Sequence, residues 1–219
     1  MKALDLKIPF EEIRRKARIV VIGDDKKAFP YELLQKEGYT ITYWSKVERI
    51  TDLESGRFDL IILDISGSTY TLSYPSNKPL WETTKDGFGL LQHLKLYNPV
   101  QLIIAFSGAH NLSQADFGKF ADDYQTKPTD LLSWKEKIDT LLKSKFTPQR
   151  YWGEIERIFK SEGVSDKKLK EIEQKLISSL QTGKAFPWEA IESSISVGEE
   201  ALTITSILTQ TILNFGAKQ

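Results

Sequence analysis

The stretch FDLIILDISG places an acid, Asp64, directly after four consecutive aliphatic residues. A run of this length between polar residues is typical of a strand that is buried on both faces of a sheet. Because a buried, unpaired carboxylate is costly, Asp64 must lie at an open strand end or beside a cation. A second aliphatic run, RIVVI, is followed after Gly23 by two more acids, Asp24 and Asp25. The sequence therefore predicts three carboxylates at the ends of two strands.

A hydroxyl and an amine follow two further predicted strands: Ser107 comes after VQLIIAF, and Lys127 comes after DYQT. In open parallel sheets, functional groups gather beyond the carboxyl ends of the strands, near the point where the strand order reverses. Clustered carboxylates offer the oxygen ligands that Mg²⁺ prefers, and a lysine and a serine can bind the other oxygens of a phosphoryl group. The chemistry that suits this set is phosphoryl transfer to a carboxylate, in which a protein mainly positions groups and offsets charge.

These side chains can meet only if the strands form a parallel sheet, and the order of the apolar patterns predicts one. Strands and amphipathic helices alternate five times, which indicates an α/β fold with a five-stranded, doubly wound sheet and right-handed crossovers. We expect helices within AFPYELLQKEG (28–38), over residues 45–56, over Gly87–Tyr97, over 111–120 and over Leu131–Leu142. The predicted strands are RIVVI (18–22), YTITYW (39–44), FDLIILD (58–64), VQLIIAF (100–106) and DYQT (123–126).

The last part of the chain has no strand pattern of similar strength, and we predict a small α-helical region. Trp152, Ile155 and Phe159 mark one amphipathic helix, and Leu169 and Leu176 mark a second. The segment ALTITSILTQTILNF carries no charge but is shorter than the ~20 residues needed to cross a bilayer. We expect it to be a third or fourth helix, although its threonine and isoleucine content would also suit a strand.

The predicted organisation is an N-terminal leader (1–16), a sheet domain (17–146) with an insertion loop (66–85), and a helical region (147–219). The 30 acidic and 30 basic residues cancel, so no basic footprint for nucleic acid is visible. Without cysteine, the chain has no disulfide and no thiolate nucleophile. The N-terminus has no continuous apolar stretch of the kind found in secretory signals, so we expect a cytoplasmic protein with no membrane partner.

From about residue 17 to residue 144, the chain resembles the response-regulator receiver domains (CheY-like) of two-component signalling. The resemblance rests on RIVVIGDD, EGYTITYW, FDLIILDISG, DGFGLLQHLKLYNP, QLIIAFSGA and ADDYQTKPTDLL, in the family's order, and the last segment is the most specific. It implies that Asp64 is the phosphoacceptor and that Mg²⁺ is the cofactor, bound directly by Asp24. The implied metal ligands are Asp24, Asp25, Asp64 and Ser66, and the implied phosphate-binding and switch residues are Ser107, Lys127 and Tyr124.

The resemblance also implies partners and a mode of action. A histidine kinase or phosphotransfer protein would phosphorylate Asp64, and the change would be relayed through Ser107, Lys127 and Tyr124 to the helical C-terminal region. That region would contact a downstream protein or form a homodimer. The protein would then be a phosphoryl acceptor with at most weak autophosphatase activity, and not an enzyme that turns over a substrate.

The chain departs from the family pattern at positions that bear on this function. Gly23 stands where receivers usually carry an acid, and the Asp-Gly pair that normally follows the acceptor closely is delayed to Asp86-Gly87. The intervening loop contains three aromatic residues, Tyr70, Tyr74 and Trp81, which make it a candidate lid.

These departures favour an alternative hypothesis, a pseudo-receiver that acts as a phosphorylation-independent protein-interaction module. A phosphohydrolase with an aspartate nucleophile is a weaker third hypothesis. Such enzymes carry a second acid two residues after the first, and here that position is Ser66.

Overall fold

The computed structural model describes residue 4 and residues 8–66, 87–108, 120–127 and 130–216. The three aromatic residues of the predicted lid, Tyr70, Tyr74 and Trp81, lie outside these residues, as does nearly all of the helix expected over 111–120. The chain divides into two compact units, residues 10–146 and residues 1–9 with 147–219. Residues 10–16 belong to the first of these units, which is called the sheet unit below, and residues 147–219 belong to the second.

The sheet unit is built on five parallel strands. They are β1 (Arg18–Ile22), β2 (Thr40–Trp44), β3 (Leu60–Asp64), β4 (Leu102–Ser107) and β5 (Asp123–Thr126). The strand order is β2-β1-β3-β4-β5, and every neighbouring pair is parallel. This is the flavodoxin-like form of the doubly wound sheet, with its switch point between β1 and β3. The predicted fold class is confirmed.

The central strands are buried because their residues are almost all aliphatic. Every residue of β3 and β4 is buried, as are the last four residues of β1. A strand covered by helices on both faces has no solvent-facing side, so its sequence reads as a continuous apolar run and does not alternate. This explains why Asp64 and Ser107, the last residues of β3 and β4, stand out as polar.

The helices described in the sheet unit are α1 (Phe10–Lys16), α2 (Tyr31–Lys36), α3 (Thr51–Glu54), α4 (Gly87–Tyr97) and α5 (Leu131–Lys145). A short 3₁₀ helix covers Lys26–Ala28. The prediction of a helix over 45–56 is wrong in extent, because only 51–54 are helical. Val47 forms a single β-bridge, and Val47, Ile50 and Leu53 enter the core from a mostly irregular segment. Their spacing of three residues resembles that of one face of a helix because all three side chains pack into the same apolar cluster.

A partly buried ion cluster braces the amino edge of the sheet. The Asp122 side chain, 6% exposed, accepts hydrogen bonds from the Ile103 amide at 3.0 Å, from Lys95 Nζ at 2.6 Å and from Lys145 Nζ at 2.9 Å. Burial alone would raise the pKa of Asp122, but the two lysines and the Ile103 amide hold it below its usual value. Nearby, Tyr39 and Arg14 both donate to the Asp139 carboxylate, which joins α1 to α5.

The C-terminal unit is helical, as predicted. Its described helices are α6 (Pro148–Ser161), α7 (Asp166–Thr182), α8 (Trp188–Glu192) and α9 (Glu199–Gly216). Thr147 and Ser165 are the N-caps of α6 and α7, because each hydroxyl accepts a hydrogen bond from a first-turn amide. The uncharged segment is helix α9, which packs against α6 and α7 and buries Leu208, Ile212 and Phe215. No helix in the described part of the chain is long and apolar enough to cross a membrane.

Candidate functional site

The carboxylate of Asp64 lies at the carboxyl edge of the sheet and is only 1% exposed. Lys127 Nζ donates a hydrogen bond to Asp64 Oδ2 and forms an ion pair with it. The main chain brings the lysine to this point, because the Lys127 amide donates to the Ser107 carbonyl at 3.0 Å in a continuation of the β4–β5 pairing. A cation beside the strand-end acid is one of the two arrangements that the sequence predicted, and the geometry brings the predicted pair together.

Two hydroxyls lie on the other side of the Asp64 carboxylate. Asp64 Oδ1 accepts from the Ser66 amide at 3.2 Å and from Ser66 Oγ at 3.4 Å. Ser66 Oγ is in turn 3.1 Å from Ser107 Oγ, which is fully buried. Both oxygens of Asp64 are therefore hydrogen-bonded within the protein, one to an ammonium group and one to a short chain of serines. Ser66 and Ser107, both predicted site residues, belong to this arrangement.

Two glycines allow the main chain to approach Asp64 closely. A Cβ atom added at Gly23 would lie 3.0 Å from Asp64 Cβ and 3.3 Å from Oδ2. One added at Gly87 would lie 2.6 Å from the Asp64 carbonyl oxygen and 2.7 Å from Ile65 Cα. The Gly87 amide donates to the Ile65 carbonyl at 3.2 Å, so the chain re-enters the sheet unit at the point where it left. Gly23 thus leaves the space that Asp64 occupies.

The two acids after β1 lie on the exposed turn that follows Gly23. The Asp25 carboxylate accepts from the Lys27 amide at 2.9 Å and caps the 3₁₀ helix. Burial, followed by the nearby carboxylates of Asp24, Asp25 and Asp64, raises the pKa of the Tyr43 phenol. All three acids therefore lie within electrostatic reach of one side chain at this edge. Tyr43 itself was missed by the sequence reasoning.

The predicted Mg²⁺ would need oxygen ligands, which aspartate side chains supply. Among the described residues, no group of three or more Asp, Glu or His side chains could hold a metal ion. Mg²⁺ is commonly bound through only one or two carboxylates, with waters and phosphate oxygens completing its shell. Asp24 and Asp64 supply two carboxylates of this kind, whereas Asp25 is engaged as a cap. The residues therefore fit the ion chemically, and the full predicted ligand set stays a prediction.

The predicted switch residue Tyr124 lies on β5 opposite Ala105 of β4. Its half-buried ring packs against the apolar cluster between the sheet and α4. An aromatic cluster that the sequence reasoning missed lies near Lys127, whose Nζ is 4.9 Å from the ring centroid of Phe106. That ring meets the buried Trp134 of α5 edge-on at 5.6 Å.

The similarity of this chain to known proteins is confined to solved structures. No family model matches the chain, and neither does any curated protein. A CheY-like receiver domain protein from Methanospirillum hungatei JF-1 is 22% identical, with 59% of this chain and 95% of that chain covered and a TM-score of 0.44. The receiver domain of NtrX from Brucella abortus is 19% identical, with 57% and 98% covered and a TM-score of 0.45. A longer NtrX structure is also 19% identical, but this chain covers only 27% of it, with a TM-score of 0.45.

These overlaps are with receiver domains of response regulators and with a longer protein. The fold of this chain rests on its own strand order, β2-β1-β3-β4-β5.

Proposed function

We propose that this protein is a response-regulator-like signalling protein whose phosphoacceptor is Asp64. The observation that carries the proposal is the Lys127–Asp64 pair, with Ser66 and Ser107 beside it, at the carboxyl edge of the sheet. The Asp64 carboxylate is only 1% exposed, and the ammonium group of Lys127 at one of its oxygens is both an opposite charge and a phosphate-binding group.

In the proposed step, an oxygen of Asp64 forms a bond to the phosphorus of the donor. The bond between phosphorus and the leaving group breaks, and the leaving group takes the electron pair. Lys127 offsets charge on the phosphoryl oxygens, and Ser107 Oγ offers a further hydrogen bond. At about 4 Å and an effective dielectric constant of about 20, one such charge contact is worth roughly 4 kcal/mol before desolvation is subtracted. Mg²⁺, held by Asp24 and Asp64, would neutralise charge on the transferred group.

The proposal includes a histidine kinase or phosphotransfer protein as donor and a downstream protein as partner. The altered contacts of Ser107, Lys127 and Tyr124 would reach that partner through the helical C-terminal region, alone or as a homodimer. The protein would act as a phosphoryl acceptor and not as a turnover enzyme.

The direct test is incubation with acetyl phosphate and Mg²⁺, followed by intact-mass measurement. We expect the wild type to gain the mass of one phosphoryl group and Asp64→Asn to gain none. Asp123→Asn is the matched control, because Asp123 begins β5 at the opposite edge of the sheet and should leave labelling unchanged. An unlabelled wild type, or equal labelling of Asp64→Asn, would refute the assignment.

A second candidate function, a pseudo-receiver, is favoured by two observations. Both oxygens of Asp64 are already hydrogen-bonded within the protein, and Gly23 removes one acid of the family pattern. In this case the module would bind partners without phosphorylation. The variant Asp64→Ala would then keep the oligomeric state and the partner binding of the wild type. A variant in which a short linker replaces residues 66–85 would lose both. Light scattering on the two variants, with and without acetyl phosphate, separates the candidates.

A further inference from the structure

The main chain of Gly23 is held by the end of β2 through both its amide and its carbonyl. Its amide donates to the Trp44 carbonyl at 3.1 Å, and its carbonyl accepts a hydrogen bond from the Tyr43 hydroxyl. The first contact continues the β1–β2 ladder, but the second comes from a side chain and does not follow from strand pairing. Gly23 is also the residue between β1 and Asp24, so whatever fixes this peptide fixes the start of the acid-bearing turn.

The ring of Tyr43 has a fixed neighbour of its own. It stacks on Tyr31 with a centroid distance of 5.6 Å and an interplanar angle of 30°, and Lys26 Nζ lies 4.9 Å from the Tyr31 ring centroid. Tyr31 opens α2 and Lys26 opens the 3₁₀ helix, so both belong to the segment that follows the acids. The Tyr43 ring is therefore packed against the segment that follows the acids, and the Tyr43 hydroxyl binds the Gly23 carbonyl at the start of that segment.

The position of this peptide matters because it touches the proposed acceptor. A Cβ atom added at Gly23 would lie 3.0 Å from Asp64 Cβ, so Asp64 occupies the space that a side chain at residue 23 would need. A small displacement of the Gly23 carbonyl would move Asp24 relative to Asp64. Burial and the surrounding carboxylates raise the pKa of Tyr43, so its hydroxyl stays protonated at neutral pH and remains a donor.

We propose that Tyr43 is a positioning residue for the phosphoacceptor site: by holding the Gly23 carbonyl, its hydroxyl sets the separation of the Asp24 and Asp64 carboxylates at which a divalent cation binds. The inference rests on the proposed function, because it assigns Tyr43 a part in the same site. It predicts an effect on cation affinity and none on the capacity of Asp64 to accept a phosphoryl group.

The test compares Tyr43→Phe with Tyr39→Phe in the full chain, with Mn²⁺ as the probe and its electron paramagnetic resonance signal as the readout. Both variants lose one hydroxyl that donates a hydrogen bond in the sheet unit, but Tyr39 donates to Asp139, which lies on α5. Loss of one such bond corresponds to roughly a three- to tenfold change in affinity. We expect that loss of Mn²⁺ affinity in Tyr43→Phe and wild-type affinity in Tyr39→Phe.

A second readout separates positioning from general damage. With acetyl phosphate, Tyr43→Phe should need three- to tenfold more Mg²⁺ for half-maximal labelling yet reach the wild-type plateau. Wild-type Mn²⁺ affinity in Tyr43→Phe, or an equal loss in Tyr39→Phe, would overturn the role of Tyr43. Labelling of wild-type Asp64 is measured in the same experiment and tests the proposed function separately. If the wild type is labelled and Tyr43→Phe has the same Mg²⁺ requirement as the wild type, only the positioning role of Tyr43 is refuted.

Discussion

Replacing Gly87 with alanine tests the closest main-chain contact of the site. By helix propensity alone, alanine at the start of α4 should stabilise the protein by up to about 1 kcal/mol. The added Cβ would lie 2.6 Å from the Asp64 carbonyl oxygen and 2.7 Å from Ile65 Cα, and these main-chain atoms are held by the central strands. Overpacking against atoms that cannot move aside costs about 3 kcal/mol. We therefore expect Gly87→Ala to lower the free energy of unfolding of the sheet unit by about 2 kcal/mol.

The chain offers a matched control in Gly153→Ala. Gly153 is exposed in the interior of α6, and a Cβ added there meets no atom within 4 Å. Alanine has a higher helix propensity than glycine, and no steric clash offsets this gain at position 153. Gly153→Ala should therefore stabilise the helical unit by about 1 kcal/mol. Urea titration followed by hydrogen exchange and mass spectrometry of peptides from each unit would measure the two effects separately.

The two glycine variants should therefore change stability in opposite directions. If Gly87→Ala were as stable as the wild type, the close approach of α4 to Asp64 would be wrong. Because the clash is with the Asp64 carbonyl itself, the variant should also be labelled by acetyl phosphate more slowly than the wild type. Gly153→Ala should be labelled at the wild-type rate.

Three further predictions concern stability. Asp122→Asn should destabilise the sheet unit by about 2 kcal/mol in urea titration, because it removes the counter-charge from the partly buried ammonium group of Lys95. The pKa of Asp122 is lowered in the folded state, so its contribution to stability is complete above the usual pKa of an aspartate, near 4, and is lost as the pH falls through the folded pKa. The free energy of unfolding of Asp122→Asn should therefore change less with pH than that of the wild type between pH 5 and the folded pKa. Tyr39→Phe should cost about 1.5 kcal/mol, because the hydroxyl donates to the Asp139 carboxylate, and an unchanged urea midpoint would contradict this. Thr147→Ala should cost the helical unit about 1 kcal/mol through loss of the α6 cap, which a lowered midpoint in peptides from 147–216 would show.

The sequence was most informative where burial is complete. The strands β1, β3 and β4 read as aliphatic runs because both of their faces are covered, and this same pattern made Asp64 visible as an exception. The pairing of Asp64 with Lys127 followed from the rule that strand ends share an edge, and the structure confirms it.

The sequence was least informative where a contact depends on the exact distance between two segments of the main chain. The irregular segment before α3 was mistaken for helix because Val47, Ile50 and Leu53 share a three-residue spacing without sharing a helix. Tyr43 could not be found because a hydroxyl that binds a main-chain carbonyl leaves no pattern in neighbouring residues. Gly23 could be recognised as a departure from the family, but its contact with Asp64 depends on the separation of two strands.

The hydrogen bond from the Gly87 amide to the Ile65 carbonyl holds the end of the chain that leaves β3 next to the start of α4. For a flexible connection between two adjacent ends, doubling the number of residues adds only about 0.6 kcal/mol of closure entropy. The length of the connection beside Asp64 can therefore change at a small cost in stability, as long as Ser66 and Gly87 keep their places.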